Sequence, residues 1–293
     1  MSGFSAEWLS LREPVDHRSR NQDLQVQVLK YLAQIKTVCP GSVHITDLGS
    51  GTGSNLRALA PHLDSMQNWT LVDYDLALLN TARTNLLAWA DSEVDAPIFE
   101  HSANAPTHIN PLSILKQNKT IVVEFKCVDL VNDYQTILDE PADLITAAAF
   151  FDLVAEPWLT QFCATLSKPL YTVLTYNGVE KWSPLESIDA DVLQAFHQHQ
   201  RTNKGFGAAV GSTAPERLQS LLHARQFLTA SAASPWVLDH HDHTLIKQLA
   251  IGTAKAVREI GTISSLTVNQ WEQSRCIATQ CEIGHVDLFA YKL

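Results

Sequence analysis

Apolar residues recur along this chain with two alternating periods. Leu24, Val28, Tyr31, Leu32 and Ile35 fall at helical spacing, predicting an amphipathic helix within residues 1–42 behind an aromatic and basic arm. Val43 and Ile45 open a strand that ends in Asp47 and a glycine turn, and SNLRALAPHL reads as the helix after it. Trp69 to Val72 predicts a second short strand, and Leu76 to Trp89 a helix with Leu78, Leu79, Ala82, Leu86 and Trp89 on one stripe. TIVVEFKCVDL, ADLITAAAFFDLV and KPLYTVLTYNG supply three more strands, with a helix around Glu156 to Leu166 between the last two. Strands alternating with helices call for a parallel, doubly wound α/β sheet.

The rest of the pattern is less regular. Residues 91–119 carry three prolines and scattered polar positions, which predicts an insertion or long loop. Residues 178–213 show few strand signals and include HQHQRTNKGFGAAVGS, which reads as a cap facing the substrate. Pro215 to Phe227, His243 to Ile260 and Val268 to Thr279 read as helices, Leu228 to Leu238 as a strand broken at Ser234-Pro235, and Gly284 to Lys292 as a closing strand. The expected division is an arm and helix over 1–42, then one domain over 43–293 with insertions at about 91–119 and 178–213.

Composition removes several function classes. No apolar run reaches the ~20 residues that a membrane-spanning helix needs, so no membrane partner is expected. The N-terminus has acids early and no basic start leading into an apolar stretch, so it does not read as a secretory signal, and a cytoplasmic protein is expected. Five cysteines with no CxxC pair form no disulfide framework and are expected to be reduced. A formal charge of −10 disfavours a nucleic-acid partner, because such binding rests on Lys and Arg neutralising phosphates. A monomer and a homodimer both fit.

The chemistry centres on Asp47-Leu-Gly49-Ser50-Gly51-Thr-Gly53. Glycines there allow positive φ and leave no Cβ between backbone and ligand, so a nucleoside cofactor is expected on the turn. A dinucleotide fingerprint would need glycine where Ser54 stands, and Asp47 would repel a pyrophosphate on its own side.

DLGSGTG, LVDYD, CVDL and ADLITAAAFFDLV, in that order over roughly residues 43–176, resemble the motif series of the class I S-adenosylmethionine-dependent methyltransferases. The resemblance implies a Rossmann-like, mostly parallel seven-stranded sheet whose last strand is inserted antiparallel. It also implies S-adenosylmethionine as cofactor. Asp47, Gly49, Ser50, Gly51 and Gly53 would form the loop around the methionine portion, and Asp73 would accept from the ribose hydroxyls. Tyr74 would flank the ribose or adenine, Asp129 and Leu130 would read the adenine, and Ala148 and Phe150 would face the sulfonium. An arm lying over the cofactor would place Arg18 or Arg12 on its carboxylate. Each acid taken alone reads equally well as a helix cap or turn former.

The expected reaction is methylation of a small-molecule acceptor at oxygen or nitrogen. An aminopropyl-type transfer on the same scaffold and a catalytically silent, cofactor-binding partner subunit stand as alternatives. Asp152, Tyr176, His197 and His199 are the candidate bases, with Asp152 first because it closes the fourth strand; it would serve equally as a helix N-cap. Phe151-Asp152-Leu153-Val154 lacks the two prolines and aromatic of base-methylating members. His197, His199, Arg201 and Lys204 would favour an anionic acceptor, or else form a solvated loop. DHHDH at 239–243 has metal-ligand residue types at a spacing that cannot converge on one ion, so no metal is expected.

Overall fold

The architecture grows out of a central strand whose alternate residues feed two hydrophobic layers. In the computed structural model, which describes residues 4–38, 41–64, 66–95 and 109–292, the chain runs α1 (Ala6–Ser19), α2 (Gln22–Val38), β1 (Val43–Leu48), α3 (Ser54–Leu59), β2 (Met66–Asp73) and α4 (Leu76–Trp89). It continues β3 (Ser92–Glu93), β4 (Leu112–Lys116), β5 (Lys119–Cys127), α5 (Leu130–Asp139), β6 (Leu144–Ala148), α6 (Glu156–Thr165), β7 (Leu170–Ser183) and α7 (Asp189–Gln200). It closes with α8 (Ala214–Ala224), β8 (Leu228–Ala233), β9 (Trp236–Leu238), α9 (His243–Ile260), α10 (Ser265–Arg275) and β10 (Gln280–Tyr291). Cys39 and residues 96–108 of the expected insertion lie outside the described residues.

The sheet order is β3-β4-β5-β2-β1-β6-β7-β10-β8, with β9 also paired to β10. β5, β2, β1, β6 and β7 run parallel, and β10 lies antiparallel between β7 and β8. Those seven strands are the expected ones, but the whole sheet has ten. The three additional strands are β3 and β4 on one edge, and β9, split from β8 by Ser234-Pro235. β4 and β5 form a hairpin turning at Gln117 and Asn118, whose φ values of 50° and 61° make a primed turn. Asp91 holds that turn by accepting from the Gln117 N–H at 2.7 Å. Gln is not a residue that announces such a turn, which is why the segment reads as loop.

Along β1 and β2 the burial alternates. Val43, Ile45, Trp69 and Leu71 face a layer with α2, α3, α4, α9 and α10, whereas Leu48 and Val72 face a layer with α5, α6 and α8. The expected stripes are the buried ones: Leu24, Val28 and Leu32 on α2, and Leu78, Leu79, Ala82 and Leu86 on α4. Each of the Leu and Val side chains contributes about 1.5–3 kcal/mol on full burial, so these faces fix where the helices sit.

Two regions differ from expectation. The N-terminal arm is itself a helix, α1, capped by Ser5 accepting from the Trp8 N–H. Pro14 sits inside it and forgoes a bond to the carbonyl of Ser10, an exposed residue, where water can replace it. The region 178–213 begins as the far end of β7 and then forms α7. Near its middle β7 carries a bulge against β10 at Leu174, which has a φ of 57°. Asp287 of β10, wholly buried, accepts from the Leu174 N–H at 2.8 Å and from the Asn21 N–H at 2.8 Å. The bulge turns Leu174 and Tyr176 toward the space under α1.

Candidate functional site

Ligands in open α/β sheets bind outside the carboxyl ends of the strands, and there a cavity of about 420 Å³ opens above β1, β2, β5 and β6. Gly49, Gly51 and Gly53 adopt φ of +63°, +52° and +77°. A Cβ on Gly49 would stand 2.7 Å from Phe150 Cδ2, so the turn can pass the ring only as glycine. Ser50 N–H donates to the Val72 carbonyl at 3.0 Å, tying the turn to β2. Asp73 then closes the floor: Oδ2 accepts from Gly51 N–H at 2.8 Å and Oδ1 from Asp75 N–H at 3.0 Å. Each oxygen retains a lone pair for a ligand donor.

At one end of this cavity the polar groups are unfinished. Asp47 is fully buried; its Oδ1 accepts from Asn55 Nδ2 at 2.6 Å, and Oδ2 has no partner. Burial pushes its carboxyl up to about 7, against the pull of the Asn55 bond and the Arg20 charge. Arg20 is 6% exposed, and its Nε and Nη1 have no hydrogen-bond partner. At the other end Asp129 caps α5, accepting from Val131 N–H at 2.9 Å and Asn132 Nδ2 at 3.1 Å, so it takes the capping role while also lining the cavity. Leu130, the first residue of α5, has an N–H without an intrahelical acceptor. Tyr74, Ala148 and Phe150 line the walls, and Phe206 meets Phe150 edge-on at 5.6 Å.

The roof is α1 and its flanks. Phe4, Leu9, Arg12, Asp16 and Arg20 face the cavity, with Leu9 Cδ1 3.0 Å from a Cβ built on Gly51. Of the arginines expected here, Arg18 faces away, paired with Asp242 at 2.5 Å. Arg12 does line the cavity, but its guanidinium is held by both oxygens of Asp16 at 2.8 and 3.1 Å and stacks 4.9 Å over Trp236. The uncommitted cation is Arg20, which reading the segment as an arm overlooked. Its signal was the recurrence of 4, 8, 12, 16 and 20 at one helical face. Gly53 is not among the residues lining this cavity; it precedes α3 and packs toward Ala82 of α4.

A second cavity of about 130 Å³ adjoins the first and shares Phe4, Arg12, Ala149 and Leu153 with it. Ala149 holds a φ of 49°, a strained value for a residue with a Cβ, where the two spaces meet. Asp152 and Tyr176 line this cavity. Asp152 sits in a 3₁₀ turn over Phe151–Leu153 and is not the cap of α6, which is Ala155. Its Oδ1 is buried without a partner, and burial pushes the carboxyl up to about 6. The Tyr176 hydroxyl donates to Glu180 Oε1 at 3.1 Å and lies 3.0 Å from His197 Nε2. Burial raises Glu180 to about 7 and lowers His285 to about 3, so His285 is neutral.

The remaining expected site residues lie apart. His199 pairs with Glu259 at 3.0 Å and receives Lys204 Nζ at 3.2 Å, and it lines neither cavity. Lys204 and Gly205 border the first cavity instead. The basic residues of 197–204 therefore do not converge on one point. Asp239, His240 and His241 bring ligand-type atoms within 4.8 Å of one another but are all exposed, and Asp239 already accepts from His241 N–H. Among the described residues no helix is long and apolar enough to cross a membrane.

No protein-family profile matches the chain, and no curated protein matches it in sequence. Solved structures do show likeness. A cyclopropane-fatty-acyl-phospholipid synthase-like protein from Lactobacillus casei matches with 14% identity, 96% of this chain, 99% of that one and a TM-score of 0.49. A proposed methyltransferase from Bacillus halodurans gives 12%, 89%, 98% and 0.48, and the plantazolicin methyltransferase BpumL in complex with SAH gives 14%, 98%, 88% and 0.42. All three lie below 25% identity and a TM-score of 0.5, so the function must be sought in this chain's own residues.

Proposed function

We propose that the first cavity takes S-adenosylmethionine and that the protein passes its methyl group to a small molecule held in the second. The observation that carries this is the polar inventory of the first cavity, read from end to end, together with a second compartment opening at Ala149. Arg20, with two unpartnered N–H groups, fits a carboxylate, and Asp47 Oδ2 fits an ammonium beside it. Asp73 fits a pair of hydroxyls, and the Leu130 N–H with Asp129 fits the edge of a purine. That order matches the cofactor's amino acid, ribose and base. A dinucleotide would bring a pyrophosphate to a turn flanked by Asp47 of β1 and Asp73 of β2.

When bound, that cofactor supplies a methyl group on a sulfonium sulfur, and transfer leaves a neutral thioether and, from a protonated acceptor, one proton. The chain's share is placement and proton handling. Ala149 and Leu153 border both compartments, which would put the acceptor on the methyl side. Phe4 and Phe206 help exclude water, and Asp152 Oδ1 is a buried base without a competing partner.

The test is calorimetric titration with S-adenosylhomocysteine (SAH) and with NAD, alongside transfer of a labelled methyl group into a cell extract. SAH binding without NAD binding supports the reading, and the reverse overturns it. Cofactor binding with no transfer to any fraction would favour the silent-subunit alternative.

A further inference from the structure

We propose that the acceptor held in the second cavity is a compact primary or secondary amine, which enters as its ammonium form against Asp152 and Glu180. This rests on S-adenosylmethionine occupying the first cavity and adds the substrate class. Three features of the compartment lead there.

The first is charge. The titratable groups facing this space are Asp152 from the turn after β6, Tyr176 and Glu180 from β7, His285 from β10 and Arg12 from α1, with His197 behind Tyr176. Arg12 is already spent on both oxygens of Asp16, and His285 is neutral. Among the described residues, two carboxyl groups therefore face the space with no free cation. A carboxylate or phosphate acceptor would stand against both acids, whereas an ammonium favours their charged forms.

The second is hydrogen bonding. Asp152 Oδ1 and Gln200 Oε1 line the cavity as buried, unpartnered acceptors, and His285 Nδ1, buried and unpartnered in a side chain 6% exposed, accepts when the ring proton is on Nε2. Against them stands one unpartnered donor among the described lining residues, Trp8 Nε1. A primary ammonium brings three donors, a secondary one two, and neither brings an acceptor, which suits that set; an alcohol brings one donor.

The third is shape. An engineered cavity of about 150 Å³ holds benzene, so 130 Å³ admits a body of comparable size. Trp8, Trp182, Phe196 and Trp236 form its walls, and aromatic faces attract a desolvated cation.

The proton balance is simple. The ammonium gives one N–H proton to Asp152, which becomes the neutral acid, and the freed nitrogen lone pair would form the N–C bond as the sulfonium's S–CH3 bond breaks, leaving a neutral thioether and an N-methylated ammonium. Asp152 is suited to this because its carboxyl is raised toward neutrality yet is ionised at physiological pH. Glu180 stays as counter-charge, fixed by the Tyr176 hydroxyl.

The test uses the full chain, with and without saturating SAH, titrated at about pH 8 with isobutylamine, isobutanol and isobutyrate, which share one carbon skeleton. The amine is expected to bind at least tenfold more tightly than the alcohol, and isobutyrate not to bind. Asp152→Asn and Glu180→Gln are each expected to weaken the amine at least tenfold while leaving isobutanol affinity and SAH affinity unchanged. Equal binding of alcohol and amine, preference for isobutyrate, or indifference of the amine to both substitutions would overturn the proposal. The ranking on wild-type protein needs no variant to fold. Failure of SAH to bind would instead overturn the reading of the first cavity, while the ranking on cofactor-free protein still decides the second.

Discussion

Replacing Arg20 with Met isolates the interaction on which the proposed orientation of the cofactor depends. Arg20 lies beside Asp47 and Asp287 with Nε and Nη1 unpartnered, and Met keeps most of its length and none of its charge. A ligand carboxylate on those two groups would form charge-assisted hydrogen bonds worth about 1.5–3 kcal/mol each, partly offset by desolvation. A net loss of about 3 kcal/mol raises the Kd of SAH about 150-fold. The same substitution should leave 5′-methylthioadenosine within about twofold, because that compound keeps the adenine, ribose and sulfur but lacks the amino acid. Arg20 also holds the Asp47 carboxyl down, so both ligands should be titrated at one pH, about 8, above the Asp47 value in the unsubstituted protein. Calorimetry on both proteins, with circular dichroism to show an unchanged fold, gives the comparison. If the two ligands lose affinity equally, or if SAH loses none, Arg20 does not hold the carboxylate and the cavity is being read in the wrong direction.

Gly49→Ala should abolish SAH binding and lower the melting temperature, since its Cβ would stand 2.7 Å from Phe150 at a φ of +63°; a variant with unchanged SAH affinity would refute the fit of the turn. SAH affinity should depend on pH through Asp47. Its carboxyl is raised to about 7 in the free protein, and an incoming ammonium favours the ionised form. Binding therefore releases a proton below about pH 7, and affinity should fall by up to about tenfold per pH unit as pH drops, staying flat above. Asp47→Asn should remove that slope in a titration series. Arg275 has a fully buried side chain that meets Glu186 at 2.8 Å and Asp189 at 3.2 Å; Arg275→Met should cost about 1.5–3 kcal/mol in urea unfolding, the acids keeping Ser274 Oγ and Trp271 Nε1 as donors.

What could be read from the chain was local. Val43, Ile45 and the glycines after them form strand and turn from their own backbone preferences, and the stripes on α2 and α4 repeat within a few turns. Asp73 and Asp129 stand at strand ends, where position alone marks them. What escaped depends on distant partners. α1 buries Arg12 and Asp16 against each other and against Trp236, so its inner face is charged and shows no apolar stripe. Arg18 in the last turn of α1 and Arg20 at its C-cap are two residues apart, and nothing local says that one meets Asp242 and the other the cavity. His197 and His199 likewise point to Tyr176 and to Glu259, a division set by how α7 lies on α9.

The tie between Asn21 and Asp287 bears on when the protein becomes competent. Asn21 N–H meets Asp287 across 266 residues of chain, and Trp236 Nε1 reaches Asp16 across 220. Synthesis delivers the glycine turn early, but the roof over it is anchored to strands made almost last. A growing chain can therefore hold β1, β2 and the whole floor of the first cavity with α1 still undocked. Capture of the proposed cofactor would then report that β10 has entered the sheet, and a chain stalled before that strand would lack the roof's anchor at Asp287.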